Sequence, residues 1–432
     1  MPPLLIGVIA VGAFLFLAFL GLPLGFSFAL VGFVGMVLLK GLMPALNLLG
    51  GNPYAQVASF VLCAVPLFIL MGQFAFYSGI SRNLFDAAYK FMSRLPGGLA
   101  LAAMAACTAF AACTGSSVAS AATMGTIAYP EMKRYNYSPR LATATIAAGG
   151  TLGILIPPST IFVILGIITE TNIGALLIAG IFPGLLLSGL FILLIFGMCK
   201  RNPALGPAGK KAFSWKEKFQ SLAGVWGMIV LFVAVVGGLY IGVFSPSEAG
   251  CIGAFGAFVL ALVKRIKLHA FFATLRESAQ ITCYILFILI GASIFNIFLG
   301  IAGVPAALTN WIINLPVSPI GIVIAMLILY IPLGMFLDTL GMILLTVPIF
   351  FPVIVQLGFD PIWFGVLICM TAELGMVTPP VAINVYIVQG VTKVRMEEIF
   401  RGIVPFIIVY LIAIGFIVAF PEISLLLPRT MK

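Results

Sequence analysis

Gly149-Gly150-Thr151-Leu152-Gly153-Ile154-Leu155-Ile156-Pro157-Pro158-Ser159 and Thr371-Ala372-Glu373-Leu374-Gly375-Met376-Val377-Thr378-Pro379-Pro380 carry one pattern twice. In each, glycine and small residues lead into a proline pair inside an otherwise apolar segment. The proline pairs are 222 residues apart (379 − 157 and 380 − 158), and so are Pro130 and Pro352, and Pro139 and Pro361. Proline inside a helix removes a backbone donor and clashes with the preceding turn. Four prolines that keep register across half a chain therefore mark an internal duplication.

Composition says what the duplicated unit is immersed in. The chain has 432 residues, 62% of them hydrophobic and only 8% charged, against about 25% charged in soluble domains. Its apolar runs reach the roughly 20 residues a spanning helix needs, whereas barrel strands would alternate over about ten. The expected fold is all-α and polytopic, in contact with the lipid bilayer. The seven cysteines, at 63, 107, 113, 199, 251, 283 and 369, lie scattered in apolar runs without Cys-x-x-Cys spacing, and the one histidine, His269, sits in a basic stretch. These features leave little for redox, zinc or histidine chemistry. The first residues enter an apolar run without a basic leader, so no cleaved signal peptide is expected.

The net charge of +10 raises nucleic acid as a partner, but its placement answers for it. Basic residues cluster at Arg82, Lys90 and Arg94; at Lys133, Arg134 and Arg140; at Lys200, Arg201, Lys210, Lys211, Lys216 and Lys218; at Lys264, Arg265, Lys267 and Arg276; and at Lys393, Arg395 and Arg401. Loops rich in Lys and Arg face the cytoplasm. If 97–130 crossed the membrane once, the clusters on its two sides would face opposite compartments. The conflict disappears if 97–130 enters, turns midway and returns, its halves about 24–27 Å long against about 30 Å for a full span. The segment 317–353, flanked by no Lys or Arg, would do the same from the other side. All basic residues except Lys40, Arg429 and Lys432 then lie inside, both termini lie outside, and the two halves are inverted. The charge is topological, and nucleic acid is not expected as a partner. The stretch 200–220 is the seam between halves, with Trp215 to Phe219 as a short interfacial helix.

The chemistry concentrates at the turns of the two hairpins. Cys113-Thr114-Gly115-Ser116-Ser117 corresponds by the same offset to Met335-Phe336-Leu337-Asp338-Thr339. Irregular backbone at membrane depth is tolerated only where protein buries it or a cavity adjoins it. The proline-broken segments are the natural partners of these turns. Glycine and proline there free backbone carbonyls, and carbonyls with Ser and Thr hydroxyls form an uncharged oxygen cage suited to sodium; a divalent ion normally recruits more carboxylates. The N-termini of broken helices favour an anionic group nearby. Asp338, the only carboxylate in 317–353, costs about 2.5–3.5 kcal/mol at such depth. It reads as ion ligand, proton carrier or substrate contact, or as a cap on the second arm of its hairpin. Glu373 reads in the same ways, or as a partner for backbone freed by the break. Glu170 and Glu248, near span ends, read as N-terminal caps.

At these residues the chain resembles the large membrane subunit of tripartite ATP-independent periplasmic (TRAP) transporters. The resemblance covers essentially the whole chain and rests on 114–117, Gly-Thr-Ile-Ala-Tyr-Pro-Glu-Met at 125–132, Gly-Thr-Leu-Gly-Ile-Leu-Ile-Pro-Pro-Ser at 150–159, Ser-Pro-Ser-Glu-Ala at 245–249, Leu-Asp-Thr at 337–339 and Thr-Pro-Pro-Val at 378–381. The family usually has Thr where Ser245 and Ser247 stand, a change that keeps both hydroxyls. The resemblance implies an elevator-type secondary transporter of the bacterial inner membrane, driven by two or more sodium ions. It implies a first ion site at Ser116, Ser117, Gly150, Gly153 and Pro157 and a second at Asp338, Thr339, Gly375, Met376 and Thr378. Ser116, Ser159, Asp338 and Thr339 are the candidate substrate contacts. Two partners are implied as well: a small four-helix membrane subunit, as a separate chain because the spans it would add at the N-terminus are missing, and a periplasmic binding protein that delivers an organic acid.

The expected organisation is scaffold at 1–80, a transport-domain hairpin and broken helix at 81–172, scaffold with a cytoplasmic loop at 173–278, the second transport-domain unit at 279–398 and a C-terminal scaffold helix at 399–432. A stand-alone anion/sodium symporter is the rival within transport. A membrane enzyme fits poorly for want of a paired catalytic constellation, and a channel fits inverted broken helices less well than alternating access does.

Overall fold

The computed structural model describes residues 2–209 and 212–431, so Lys210, Lys211 and Lys432 lie outside the described residues. The first repeat comprises α1 (Pro3–Phe19), α2 (Leu24–Lys40), α3 (Leu42–Val57), α4 (Ala64–Tyr77), α5 (Ile80–Met92), α6 (Gly98–Thr114), α7 (Ser117–Arg134), α8 (Pro139–Gly150), α9 (Leu152–Leu155), α10 (Thr160–Thr169), α11 (Ile173–Ala179) and α12 (Ile181–Arg201). A linking helix, α13 (Trp215–Leu222), follows. The second repeat comprises α14 (Trp226–Tyr240), α15 (Pro246–Val263), α16 (Leu268–Ala302), α17 (Val304–Ile313), α18 (Pro319–Phe336), α19 (Thr339–Gln356), α20 (Pro361–Gly375), α21 (Ile383–Thr392) and α22 (Met396–Ala419), with α23 (Glu422–Thr430) after it. Among the described residues, seven helices are long and apolar enough to cross a membrane, or up to nine with bent pairs counted as one span.

The repeat seen in the prolines extends to the elements. Leu24, Ser117 and Pro139 open α2, α7 and α8; Pro246, Thr339 and Pro361 open α15, α19 and α20, each 222 residues on (246 − 24, 339 − 117, 361 − 139). Pro139 and Pro361 sit at the first helical position, where a missing N–H costs nothing. Both Pro157-Pro158 and Pro379-Pro380 bonds are cis, and the chain bends by 43° between Pro139–Leu155 and Thr160–Thr169.

The first hairpin returns to the side on which it starts, and hydrogen bonds hold its two ends together. Its arms α6 and α7 have 17 and 18 residues. The Tyr137 hydroxyl, just past the second arm, accepts from Leu99 N–H at the start of the first at 3.1 Å and donates to Pro207 O at 2.9 Å. Gly97 N–H donates to Gly206 O and Ser138 N–H to Leu205 O, both at 2.9 Å. Both ends of the hairpin are thus tied to one segment, 202–209, which is a clasp as well as a seam. Burial pushes the Tyr137 hydroxyl up to about 12, so it keeps the proton it donates. Tyr137→Phe strands the Pro207 carbonyl and the Leu99 N–H and should destabilise the protein by about 1–3 kcal/mol, read as a lower unfolding temperature in detergent.

Two bodies of packing follow. α2 lies along α16, where a Cβ on Gly32 would stand 2.8 Å from Phe295 Cα, and α4 packs against both α15 and α16. Such close approach through small residues is how membrane helices associate. Asn52 Nδ2 donates to Ser293 Oγ at 3.0 Å and the Tyr77 hydroxyl to Glu277 at 2.5 Å, fastening α3 and α4 to α16. In the second body, α6, α8 and α20 are deeply buried; every residue of Leu141–Gly150 and of Trp363–Gly375 is buried. α12 packs on α6 and α22, and α22 on α8. Peripheral helices leave large apolar side chains outward, such as Ile229, Val230 and Val233 of α14, as a lipid-facing surface requires.

Two expected features differ. α3 and α17 are helices where no separate apolar segment was expected. Glu170 does not cap a helix start: it ends α10 in a left-handed conformation, φ +52°, and Asn172 caps the next helix. Glu248 takes the N-terminal capping role expected of it, closing a capping box in which Ser245 is the N-cap.

Candidate functional site

The first hairpin turns in two residues. Gly115, at φ +56°, ends α6 in the left-handed region that glycine enters without steric cost. Ser116 then caps α7, its hydroxyl accepting from Ala119 N–H at 3.3 Å. Across the turn the Thr114 and Ser120 hydroxyls bond at 2.9 Å. The second hairpin turns at Leu337, in extended conformation, and Asp338 caps α19 by accepting from Gly341 N–H at 3.0 Å. The capping role foreseen for Asp338 is therefore filled, and only one of its oxygens is used for it.

The breaks pack against these turns. A Cβ on Gly153 would stand 2.5 Å from Ser116 O, and one on Gly150 would stand 3.1 Å from Ser117 O. Pro158 O approaches Gly115, with Ser159 and Thr160 beside it, so Pro157 is one residue from the turn. Of the first expected ion site, Ser116, Ser117, Gly150 and Gly153 are in mutual contact. In the second, the Thr339 hydroxyl lies 3.1 Å from Met376 Sδ, Gly375 packs on Gly334 of α18, and the Thr378 hydroxyl donates to Leu374 O at 2.6 Å. Ser159 is fully buried as the cap of α10; its neighbours Thr160 and Ile161 line the cavity described below.

The two turns meet. Ser117 of the first donates to Met376 Sδ at 3.9 Å, and Thr339 of the second donates both to that sulfur and, at 2.8 Å, to Glu373 Oε1. Ser117 also stands beside the Glu373 carboxylate. Glu373 is fully buried, and no hydrogen bond among the described residues engages its Oε2. It does not serve freed backbone, as the break suggested; it serves a hydroxyl of the hairpin. Tyr410 of α22 lies near Glu373 and near Thr151, the repeat counterpart of Glu373. Asn384 is fully buried on α21; among the described residues neither side-chain amide atom has a partner, while its backbone N–H donates to Met376 O at 3.1 Å. Sequence reasoning passed over Asn384 and Tyr410; the available signal was a lone amide just past the second proline break.

A cavity of about 420 Å³ adjoins the turns. Gly115, Ser116, Ser117, Asp338, Thr339 and Met376 form one wall; Gln73 of α4 and Glu277 and Tyr284 of α16 are on the other. α4 comes close enough because Gly72 has no side chain: a Cβ there would stand 3.0 Å from Cys113 O. The cavity follows α4 to Phe76 and α16 to Glu277, the ends next to Arg82 and Arg276.

Comparison with known proteins gives consistent results. Residues 11–423 match the family model described as tripartite ATP-independent periplasmic transporter, DctM component. A C4-dicarboxylate TRAP transporter large permease protein of Pseudomonas aeruginosa is 34% identical over 372 residues, 86% of each chain. An ectoine/5-hydroxyectoine TRAP transporter large permease protein of Ruegeria pomeroyi is 31% identical over 414 residues, 95% of this chain and 96% of the relative. The crystal structure of the Alcanivorax borkumensis YdaH transporter, described as having an unusual topology, superposes with TM-score 0.64 at 14% identity, over 94% of this chain and 97% of that one; this likeness concerns fold alone.

Proposed function

Because the chain belongs to the tripartite ATP-independent periplasmic transporter family as its DctM component, the large permease subunit, we propose that it drives uptake of an organic acid with sodium ions, by an elevator motion across the bacterial inner membrane. The observation that carries this reading is the meeting of two inverted hairpin turns at Met376 and Glu373 beside a cavity of about 420 Å³. Each turn adds hydroxyls and carbonyls to a glycine-lined break, the donor set of a monovalent cation. Two sodium ions then bind, one at Ser116, Ser117, Gly150, Gly153 and Pro157, the other at Asp338, Thr339, Gly375, Met376 and Thr378. The solute sits in the cavity against Ser116, Asp338 and Thr339.

The moving body is the two hairpins with their broken helices. We group α12 and α22 with it, since they pack on α6 and α8, and group α16 with the fixed wall, since it lies along α2 and α4; the sequence reading had divided these helices the other way. With the basic loops inside, the cavity opens to the cytoplasm, the conformation is inward-facing and both termini are periplasmic. A charge crossing 100 mV yields about 2.3 kcal/mol and a tenfold gradient about 1.4 more. Two sodium ions supply roughly 7 kcal/mol, about 10⁵-fold accumulation of a neutral solute; an inward-moving anion gives back about 2.3 per charge. The working assembly includes a small membrane subunit and a periplasmic binding protein, and the chain itself performs no covalent chemistry.

The test is uptake in proteoliposomes holding the membrane subunits, with binding protein outside. Ser116→Ala and Thr339→Ala each remove one cation ligand and should raise the sodium concentration for half-maximal uptake by about tenfold. An unchanged sodium curve in both variants would discard the ion sites. Uptake by this chain without a binding protein would favour a stand-alone symporter.

A further inference from the structure

We propose that the transported solute carries a cationic group as well as its acid group, and that Glu277 of α16 recognises it. The inference rests on the cavity being the solute site. Among the described residues lining it are two carboxylates, Glu277 and Asp338, and no lysine, arginine or histidine. A cavity built for a dianion would be expected to offer a guanidinium or ammonium.

The two carboxylates have different standing. Asp338 belongs to the turn of the second hairpin and to the proposed second ion site, where a sodium ion offsets its charge. Glu277 is on the opposite wall. The Tyr77 hydroxyl donates to its Oε1 at 2.5 Å, and no hydrogen bond among the described residues engages Oε2. No cationic side chain shares the cavity with it. A dianion would add two like charges beside that carboxylate, whereas a solute with its own ammonium or amidinium group would pair with it.

The cavity is also electrostatically asymmetric along its length. At one end the first N–H groups of α7, on Ser117 and Val118, have no partner within the helix; both residues line the cavity. Ser116, a neutral hydroxyl, caps that helix, so the positive end of its dipole is free to receive a carboxylate. The matching turn on the second hairpin is capped by Asp338, whose carboxylate already offsets the dipole of α19, so that end offers a solute acid group no free helix terminus. Glu277 lies seven residues, about 10 Å, along α16 from Tyr284, which adjoins Asp338. Acid group toward α7 and cation toward Glu277 is the arrangement that leaves no like charges facing. The solute class is a zwitterion.

The experiment uses the purified complex of this chain with its small membrane subunit, titrated in sodium and in potassium buffer with ectoine, glycine betaine, succinate and N-acetylneuraminate, and read by thermal unfolding. In sodium, a zwitterion should bind with an apparent Kd at least about tenfold below that of succinate, and Glu277→Gln should erase that gap. The rank order in the unaltered complex stands even if the variant fails to assemble, and Glu277→Asp, which keeps the charge, should retain the preference. Succinate binding as tightly as the zwitterions, or a zwitterion affinity unchanged in Glu277→Gln, would overturn the inference and leave the cavity as a solute site. No sodium-dependent stabilisation by any of the four would remove the cavity as the solute site, and the inference with it.

Discussion

Replacing Glu373 by Ala should reduce sodium-driven uptake by about 10–100-fold, the loss expected for a hydrogen bond to a charged group worth about 1.5–3 kcal/mol. Glu373 Oε1 holds the Thr339 hydroxyl at 2.8 Å, and Thr339 begins the helix that follows the second hairpin turn. Without the carboxylate, that hydroxyl keeps only Met376 Sδ, a weak acceptor, and its rotamer is no longer set. The same truncation leaves Ser117 of the other repeat without its carboxylate neighbour. One change therefore disturbs both turns. Glu373→Gln separates two roles. Its amide oxygen still accepts from Thr339, so if Glu373 acts only by positioning, the Gln variant keeps the sodium curve of the unaltered protein. If the charge itself is used, Gln falls with Ala. Sodium-dependence curves in proteoliposomes decide between these, and an Ala variant that transports normally would remove Glu373 from the site.

The reach of this residue explains how far the sequence could be read. Period and offset are local properties, so the duplication, the paired breaks and the two hairpins were legible from prolines and basic clusters alone. The hairpin turns were legible as polar islands. Their meeting was not: Thr339 and Glu373 are 34 residues apart, and Ser117 and Met376 are 259 apart. Nothing in a single sequence states which islands touch. A side chain's role in a break depends on its direction as well, which is why Glu373 read equally as a partner for freed backbone. Short helices escaped for a different reason. α3 carries Asn47, Asn52 and Gln56 and is interrupted by Pro53, so it has no apolar run to detect, and its stability comes from packing on α2 and α16. Glu170 was misread because an acidic residue near a helix end suggests a start, whereas here the backbone enters the left-handed region and the helix has ended.

The inverted repeats are equal in register and unequal in contact, and alanine at their two matching glycines should expose the difference. Gly153 and Gly375 are 222 residues apart (375 − 153). A Cβ on Gly153 would stand 2.5 Å from Ser116 O and 2.7 Å from Ser116 C, so it meets the turn of the first hairpin. A Cβ on Gly375 would stand 2.6 Å from Gly334 Cα and C and 3.0 Å from Ile331 O, so it meets the arm of the second hairpin, before the turn. In both cases the obstacle is backbone, which cannot swing aside as a side chain can, and overpacking of this kind costs about 1–3 kcal/mol. Gly153→Ala should therefore displace the carbonyl and hydroxyl of Ser116 and abolish most sodium-dependent stabilisation. Gly375→Ala should part α18 from α20 and lower the unfolding temperature in sodium and potassium alike. Gly189 of α12 supplies the control: nothing lies within 4 Å of where its Cβ would be, and alanine there should be neutral or stabilising by about 0.5–1 kcal/mol. Thermal unfolding of the three variants in the two salts separates the cases. An equal loss of sodium response in Gly153→Ala and Gly375→Ala would mean that the two repeats bind their ions as one unit, with Met376, which hydroxyls of both turns reach, as the element that joins them.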